Sequence, residues 1–325
     1  MSKNIAIVGA TGLVGRTFIR VLAERNFPVK NIRLFASERS AGSFIDFNNE
    51  KIIVEKLEQN CFKGTDIALF SAGGAVAKEW AKVAASSNCI AIDNSSYWRM
   101  FPDVPLVVPE VNPKAIKEHN GIIANPNCST IQLVVALKPI SDNFQLKRVL
   151  VSTYQSISGA GQSGLNQLNA EINGTEVNNP ISKHRISNNC TFHSFESSSN
   201  FTVEENKMIN ETRKILNLKE LPVSVTCARI PVIGGHCESV NLELENDFTI
   251  EQIKEVLSKQ QNLIIKDNPE LDEYPTLQDS ENSDLVFVGR LRRDLSIKNG
   301  LHLWIVANNV RKGAATNAIQ IAELL

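Results

Sequence analysis

Apolar residues in the first part of the 325-residue chain recur in two alternating patterns. Short continuous runs at 3–8 (KNIAIV), about 31–36 (NIRLFA), 66–70 (DIALF), 89–93 (CIAID), 105–108 and 121–124 predict buried strands. Between them, residues 14–25 place Val14, Phe18, Val21 and Leu22 on one helical face, and a second helix is predicted around 75–87. Strands alternating with helices imply a mostly parallel sheet covered on both faces.

Past about residue 128 the pattern changes. Longer amphipathic strands are predicted at 147–156 (KRVLVSTYQS), 223–230 (VSVTCARI), 238–245 (ESVNLELE), 284–291 and 300–308. Helices are expected at 129–138, 161–173, 202–217 and 249–260. This describes an α+β domain with a large mixed sheet. The last segment, 313–325 (GAATNAIQIAELL), reads as a helix with no strand after it, and is expected to return to the first domain. The division expected is therefore 1–127 plus 309–325 for one domain and 128–308 for the other. The Asn- and Ser-rich stretch 174–200 reads as the least structured region, a mobile or subunit-contact loop.

Lys and Arg total 34 against 35 acids, a net charge of −1 that argues against general nucleic-acid binding but permits a local pocket for a small anion. The N-terminus runs directly into a strand without the apolar core of a secretion signal, and no apolar run approaches the roughly 20 residues that span a bilayer. A cytoplasmic location, with no membrane partner, is the expectation. Six scattered cysteines with no C-x-x-C pair do not make a disulfide framework, and Cys89 and Cys227, inside strand-like runs, read as core residues. The five histidines show no metal-ligand spacing, so no metal is predicted.

Gly9-Ala10-Thr11-Gly12-Leu13-Val14-Gly15 follows the first strand and opens the first helix. Such a turn brings backbone close to a pyrophosphate, which meets the N–H groups and positive dipole end of the helix. The spacing is a variant of the usual dinucleotide fingerprint, and a ligand-free glycine turn is the plain alternative. The second strand ends in Ala36-Ser37-Glu38-Arg39-Ser40. Arg39 with Ser37 and Ser40 suits a 2′-phosphate and favours NADP over NAD; Glu38 complicates this unless it points to solvent.

Asn125-Pro126-Asn127-Cys128-Ser129-Thr130 lies between a strand and an apolar helix. Pro126 stops the strand, and Cys128 falls at the helix N-terminus, where dipole and free N–H groups favour thiolate. A lone cysteine is most often a small buried core residue, but the flanks here are polar and turn-forming. A nucleophilic sulfur beside a nicotinamide suggests attack on an activated acyl group, a thioester, and its reduction by hydride to an aldehyde.

Across almost its whole length the chain resembles the aspartate-semialdehyde dehydrogenase family. The resemblance is carried by GATGLVG, SERSAG, SAGG, DNSSYWRM, VPLVVPEVN, NPNCST, TYQSISGAG, EENKMINETRKI, RIPVIGGHCESV, FVGRLRRD and ANNVRKGAATNAIQIAE. It implies a Rossmann-type α/β dinucleotide-binding domain plus an α+β catalytic and dimerisation domain with a large mixed sheet, glyceraldehyde-3-phosphate-dehydrogenase-like. It implies Cys128 as acyl-thioester nucleophile, His236 as general acid/base and Gln155 as the residue orienting substrate beside the thioester. Read alone, His236 between glycine and cysteine is as easily a loop histidine. The resemblance also implies Arg99 and Lys207 as phosphate-binding cations with Asn127 beside them, Arg229 on the substrate carboxylate and Glu204 on its ammonium group. Glu204 and Lys207 are three apart on one helical face, a spacing more often seen as a solvated ion pair. For NADP, the family match points to Gly9, Thr11, Gly12, Leu13 and Val14 at the pyrophosphate, Arg39 and Ser40 at the 2′-phosphate, and Ser158, Gly159 and Asn308 near the nicotinamide half.

The implied reaction is reduction of L-aspartyl-4-phosphate to L-aspartate-4-semialdehyde with release of inorganic phosphate, within lysine, threonine and methionine synthesis. A homodimer or homotetramer built through the second domain is implied. The family usually shows an apolar, proline-containing segment between Lys183 and Thr202, where this chain reads HRISNNCTFHSFESSSNF. That departure bears on a subunit contact or lid. A related N-acetyl-glutamyl-phosphate or malonyl-CoA reductase is the near alternative, and a non-catalytic NADPH-binding sensor the distant one. Glu204, Lys207 and Arg229 discriminate the first, since an N-acylated substrate has no ammonium group and a CoA thioester no phosphate to leave.

Overall fold

In a computed structural model, which describes residues 1–197 and 199–325, the chain forms two compact units: 1–127 with 314–325, and 128–313. Ser198, inside the divergent segment, lies outside the described residues.

The first unit follows the strand–helix alternation of its sequence. Its elements are β1 (Lys3–Val8), α1 (Leu13–Glu24), β2 (Val29–Ala36), β3 (Phe44–Phe47), β4 (Glu50–Lys56), β5 (Ile67–Phe70), α2 (Gly74–Ser86), β6 (Ile90–Asp93) and β7 (Ile122–Ala124). They build a seven-stranded sheet of order β3-β4-β2-β1-β5-β6-β7, parallel throughout except for the β3–β4 hairpin at its edge. The central strands are buried on both faces, as parallel strands between helices must be. Phe18, Val21 and Leu22 of α1 share a core with Ile5 and Ile7 of β1. The C-terminal helix, Thr316–Glu323, adds Ala318, Ile319 and Ala322 to the same core. Arg25 clamps Glu323 with two hydrogen bonds of 2.7 Å. The segment expected as a strand at 105–108 makes only an isolated parallel bridge, Leu106 to Ala124. Pro105 has no N–H to donate, so no ladder propagates there.

The second unit comprises α3 (Cys128–Phe144), β8 (Leu146–Gln155), α4 (Gly161–Ile172), β9 (Thr191–Phe192), α5 (Val203–Leu216), β10 (Val223–Arg229), β11 (His236–Leu244), α6 (Ile250–Ser258), β12 (Leu263–Ile265), β13 (Val286–Asp294) and β14 (Gly300–Ala307). Its mixed seven-stranded sheet runs β12-β13-β14-β11-β8-β10-β9. Alternate residues such as Val149, Val151 and Thr153 of β8 are buried, while Leu150 and Tyr154 on the opposite face are exposed. α3 outruns its expected end at residue 138 and continues to Phe144 through Pro139. Pro139 deletes one helical hydrogen bond, but the complete burial of Ile131, Leu133, Val134, Val135, Leu137 and Ile140 holds the helix. α5 starts on a reciprocal cap, Thr202 Oγ1 accepting from Glu205 N and Glu205 accepting from Thr202 N.

The boundary expected at 308/309 falls instead at 313/314. Residues 309–313 are tied into the second unit: Asn309 Oδ1 accepts from Gly235 N at 2.9 Å, and Arg311 pairs with Asp284 at 2.8 Å. The described residues of the stretch 174–200 carry little regular structure beyond β9, which pairs antiparallel with β10. Among the described residues no helix is long and apolar enough to cross a membrane.

Candidate active site

In the first unit, β1 delivers the glycine loop to the start of α1. Gly9 has φ +89°, and a Cβ there would lie 2.4 Å from the Ser71 carbonyl oxygen. A Cβ on Gly15 would lie 2.1 Å from the Gly9 carbonyl oxygen, so only glycine lets helix and loop pack this closely. Gly12 is the exposed N-cap and no side chain caps the helix, which leaves the dipole end clear at Thr11, Leu13 and Val14. Ser37, Arg39 and Ser40 form a turn after β2, closed by Ser40 N donating to the Ser37 carbonyl at 2.8 Å, with Arg39 exposed. The Glu38 carboxylate, exposed as expected, pairs with Lys56 at 3.0 Å.

Arg99 is buried in the loop after β6, donating from Nε to the Asn125 carbonyl at 3.0 Å and from a terminal nitrogen to the Asn94 carbonyl at 2.8 Å. Trp98 anchors that loop by donating to the Ala77 carbonyl at 3.0 Å. Asn125 is bonded to Asn94, to the Ala314 carbonyl and to Asn317. The start of the C-terminal helix thus fixes the N-P-N turn, and Asn127 is buried at its end.

The second unit gathers most of the remaining residues. Cys128 opens α3, and its Sγ lies 3.2 Å from His236 Nε2 at the head of β11. A side chain at position 313 would meet Cys128 Cβ at 2.8 Å, so Gly313 keeps the turn beside the thiol clear. Pairing register aligns His236 with Gln155 of β8, and Gln155 with Arg229 of β10, in one transverse row facing α3. Gln155 Nε2 donates to Ser129 Oγ at 3.0 Å and reaches Glu204 Oε1 at 3.4 Å. Glu204 is buried and accepts from Lys207 Nζ at 3.1 Å, which sets this pair apart from a solvated one. Arg229 donates to the Ser156 carbonyl at 3.2 Å. A Cβ on Gly159 would touch both Arg229 and His236 at 3.5 Å, placing this loop over the pair.

His236 is fully buried, and burial pushes its pKa down to about 3, so the resting ring is neutral. Its Nδ1 lies 3.0 Å from both the Ser156 amide nitrogen and the Gly235 carbonyl oxygen. The ring has two neutral tautomers: with Nδ1 bare it accepts from the Ser156 N–H, and with Nδ1–H it donates to the Gly235 carbonyl, and only the second leaves Nε2 free to take the Cys128 proton. Among the described residues no histidine stands beside the other five cysteines in this way: burial pushes Cys89 and Cys237 up to about 12 and raises Cys227 and Cys61, while Cys190 is exposed in the loop before β9.

Two residues not singled out from sequence complete the frame. Asn309 accepts from Ser156 Oγ at 3.3 Å and exchanges hydrogen bonds with Ser158 Oγ, so it fixes the loop on the far side of the imidazole. The expected neighbour Asn308 caps the following turn instead, accepting from Val310 N and Arg311 N and donating to the Ser280 carbonyl. His193 lines a cavity of about 790 Å³ together with Arg229, and burial pushes its pKa down to about 4. The Asn308-Asn309 and Thr191-Phe192-His193 contexts of these residues carry no periodic signal, so only three-dimensional placement finds them.

His193 and His236 both have folded values below the ordinary 6.5. Below pH 6.5 the unfolded chain binds protons that the folded chain refuses. Stability is therefore expected to fall as pH drops from 6.5 toward 4, by up to about 1.4 kcal/mol per pH unit for each ring. Differential scanning calorimetry of wild type, His193→Asn and His236→Asn checks this. Each substitution should flatten the acid slope of Tm, and an unchanged slope contradicts the assignment.

Two family models match the chain: "Semialdehyde dehydrogenase, NAD binding domain" over residues 4–119 and "Semialdehyde dehydrogenase, dimerisation domain" over 137–312. The chain is 53% identical to an aspartate-semialdehyde dehydrogenase of Aquifex aeolicus (strain VF5), covering 100% of this chain and 98% of that one. Among solved structures, it matches aspartate semialdehyde dehydrogenase II from Vibrio cholerae complexed with ASA at TM-score 0.95 and 45% identity, covering 100% and 98% of the two chains. It also matches an aspartate semialdehyde dehydrogenase with NADP from Candida albicans at TM-score 0.78 and 26% identity, covering 100% and 98%.

Proposed function

Because the chain belongs to the aspartate-semialdehyde dehydrogenase family, we propose that it reduces L-aspartyl-4-phosphate to L-aspartate-4-semialdehyde, reversibly, with Cys128 as the acyl carrier and NADPH as the reductant. The observation that carries this reading is the 3.2 Å contact between Cys128 Sγ, at the start of α3, and a neutral buried His236. The first unit holds an NAD(P)-binding domain, and its residues fit a dinucleotide. A loop packed too tightly for any Cβ at Gly9 or Gly15, ending on an uncapped helix, offers backbone N–H groups to a pyrophosphate. Gly9, Thr11, Gly12, Leu13 and Val14 would hold it. Arg39, with Ser37 and Ser40, is proposed for the 2′-phosphate, its competitor Glu38 being neutralised by Lys56. Ser158, Gly159 and Asn308 are proposed for the nicotinamide half.

The chain's own groups divide the work. Arg229 takes the substrate carboxylate and Glu204 its ammonium group. Lys207, Arg99 and Asn127 take the phosphate. His236 Nε2 removes the Cys128 proton, and the thiolate attacks the acyl carbon, forming a C–S bond as the C–O bond to phosphate breaks. Gln155, held by Ser129, fixes the thioester carbonyl. When bound, the nicotinamide supplies the hydride that reduces the thioester carbon. The C–S bond then breaks, aldehyde leaves, and His236 returns the proton to sulfur. The half-bare sheet face bearing Leu150 and Tyr154 supports association of two or four copies through the dimerisation domain. The role in lysine, threonine and methionine synthesis and a cytoplasmic setting belong to the same reading.

The test is a spectrophotometric assay of NADP⁺ reduction with aspartate semialdehyde and phosphate. Robust turnover is expected, and its absence refutes the proposal. In the same assay Arg39→Gln should lower kcat/KM for NADP⁺ by about 10- to 100-fold while sparing NAD⁺, the scale of one charge-assisted hydrogen bond. Equal loss with both dinucleotides overturns the role of Arg39.

A further inference from the structure

Behind the row that holds Arg229, Gln155 and His236 lies a second one. Residues two apart on a strand share a face, and the register places Cys227, Thr153, Glu238 and Ile305 side by side across β10, β8, β11 and β14. α3 carries the matching spacing, with Gln132 one turn beyond Cys128. Cys128 meets the His236 ring, and Gln132 Nε2 donates to the His236 carbonyl at 3.4 Å. Gln132 is also the side chain that acts on Glu238, where its amide works against the effect of burial.

The polar atoms here do not balance. Gln132 and Glu238 are both completely buried, and Gln132 Oε1 and both Glu238 carboxylate oxygens have no partner at full hydrogen-bonding distance. Three acceptors sealed together are costly unless one becomes a donor. The one N–H of Gln132 not given to His236 can serve only a Glu238 oxygen, and turning the amide over would set Oε1 against the His236 carbonyl, so Oε1 still needs a donor. The missing hydrogen therefore sits on the carboxyl. The titratable groups that sense Glu238 are the neutral thiols of Cys227 and Cys237, and burial drives its proton affinity well up against the smaller opposing effect of the Gln132 amide.

We propose that Glu238 is a positioning residue for the thiol–imidazole pair: its neutral carboxyl O–H donates to Gln132 Oε1 and locks the amide that ties the His236 backbone to α3 one turn beyond Cys128. The role rests on reading Cys128 and His236 as the reacting pair. It adds a buried acid that never touches substrate yet sets the distance across which the proton moves. Glu238→Gln keeps a donor of the same shape; Glu238→Leu removes it.

Two measurements test this, and neither includes substrate, so their outcome is separate from which acyl phosphate the enzyme takes. The first is the pH profile of Cys128 alkylation by iodoacetamide, followed by mass spectrometry. Glu238→Leu should slow alkylation at neutral pH at least about tenfold and move the profile to higher pH, while Glu238→Gln stays within about threefold, the scale of one buried hydrogen bond. The second is the infrared difference spectrum of wild type against Glu238→Gln, which needs no leucine variant to fold. A protonated carboxyl C=O band should be present at neutral pH. Absence of that band, loss of reactivity in Glu238→Gln equal to that in Glu238→Leu, or a wild-type profile in Glu238→Leu overturns the proposal.

Discussion

Cys128→Ala should lower kcat at least about 10⁴-fold, because covalent capture is the step that makes the acyl group reducible and its loss removes the route itself. Dinucleotide binding should survive, since the glycine loop and the Ser37–Ser40 turn belong to the first unit and Cys128 to the second. Fold should survive too: the side chain is small and half-buried, and Cys128 sits at the end of a helix whose apolar body is buried without it. Steady-state turnover and fluorescence titration with NADPH separate the two readouts. Alanine at Cys227 or Cys237, whose thiols are buried and held neutral, should leave turnover within about tenfold of wild type, since those changes act through packing alone.

His236→Asn is expected to lower kcat by about 10² to 10⁴, the usual contribution of a positioned general acid and base. Asparagine preserves a buried polar side chain near Ser156 N and the Gly235 carbonyl, both 3.0 Å from the imidazole Nδ1 in the native chain. It cannot accept the Cys128 proton at the Nε2 position. Cys128 reactivity in the variant should therefore climb with pH as hydroxide takes over the proton, through the range near 8.5 where an unassisted thiol ionises. In the wild type the neutral imidazole, with its pKa held near about 3, remains a competent acceptor down to mildly acid pH, so the profile should be flatter. Identical profiles for the two proteins would remove His236 from the proton path.

Much of the fold is visible as periodicity. The buried parallel strands of the first unit are continuous apolar runs, and in the second unit β8 and β10 alternate buried with exposed positions. The misses have local causes. The β3–β4 hairpin is short, lies at the sheet edge and buries only Phe47 and Val54 of its residues, although its Asn48-Asn49 turn, with φ of +49° and +68°, is a recognisable hairpin signal. Pro139 argues for a helix end that burial overrides. The site is legible in a different way. The glycine loop and the helix-opening cysteine carry their physics locally, so sequence identifies their chemistry. His236 is 108 residues from Cys128, and no spacing rule joins them; sheet register does, and only the family resemblance anticipated it. Asn309 acts through buried hydrogen bonds to residues far along the chain, and the part proposed for Glu238 depends on strand register and on Gln132 far away in sequence; composition and periodicity encode neither.

Acyl transfer to one sulfur, before any hydride moves, is the central claim. Enzyme mixed with an acyl phosphate analogue of aspartate in the absence of NADPH, quenched in acid and digested, should give a single acylated peptide by mass spectrometry, carrying the adduct on Cys128. An adduct on another residue, or release of phosphate with no adduct in the Cys128 peptide, would contradict it.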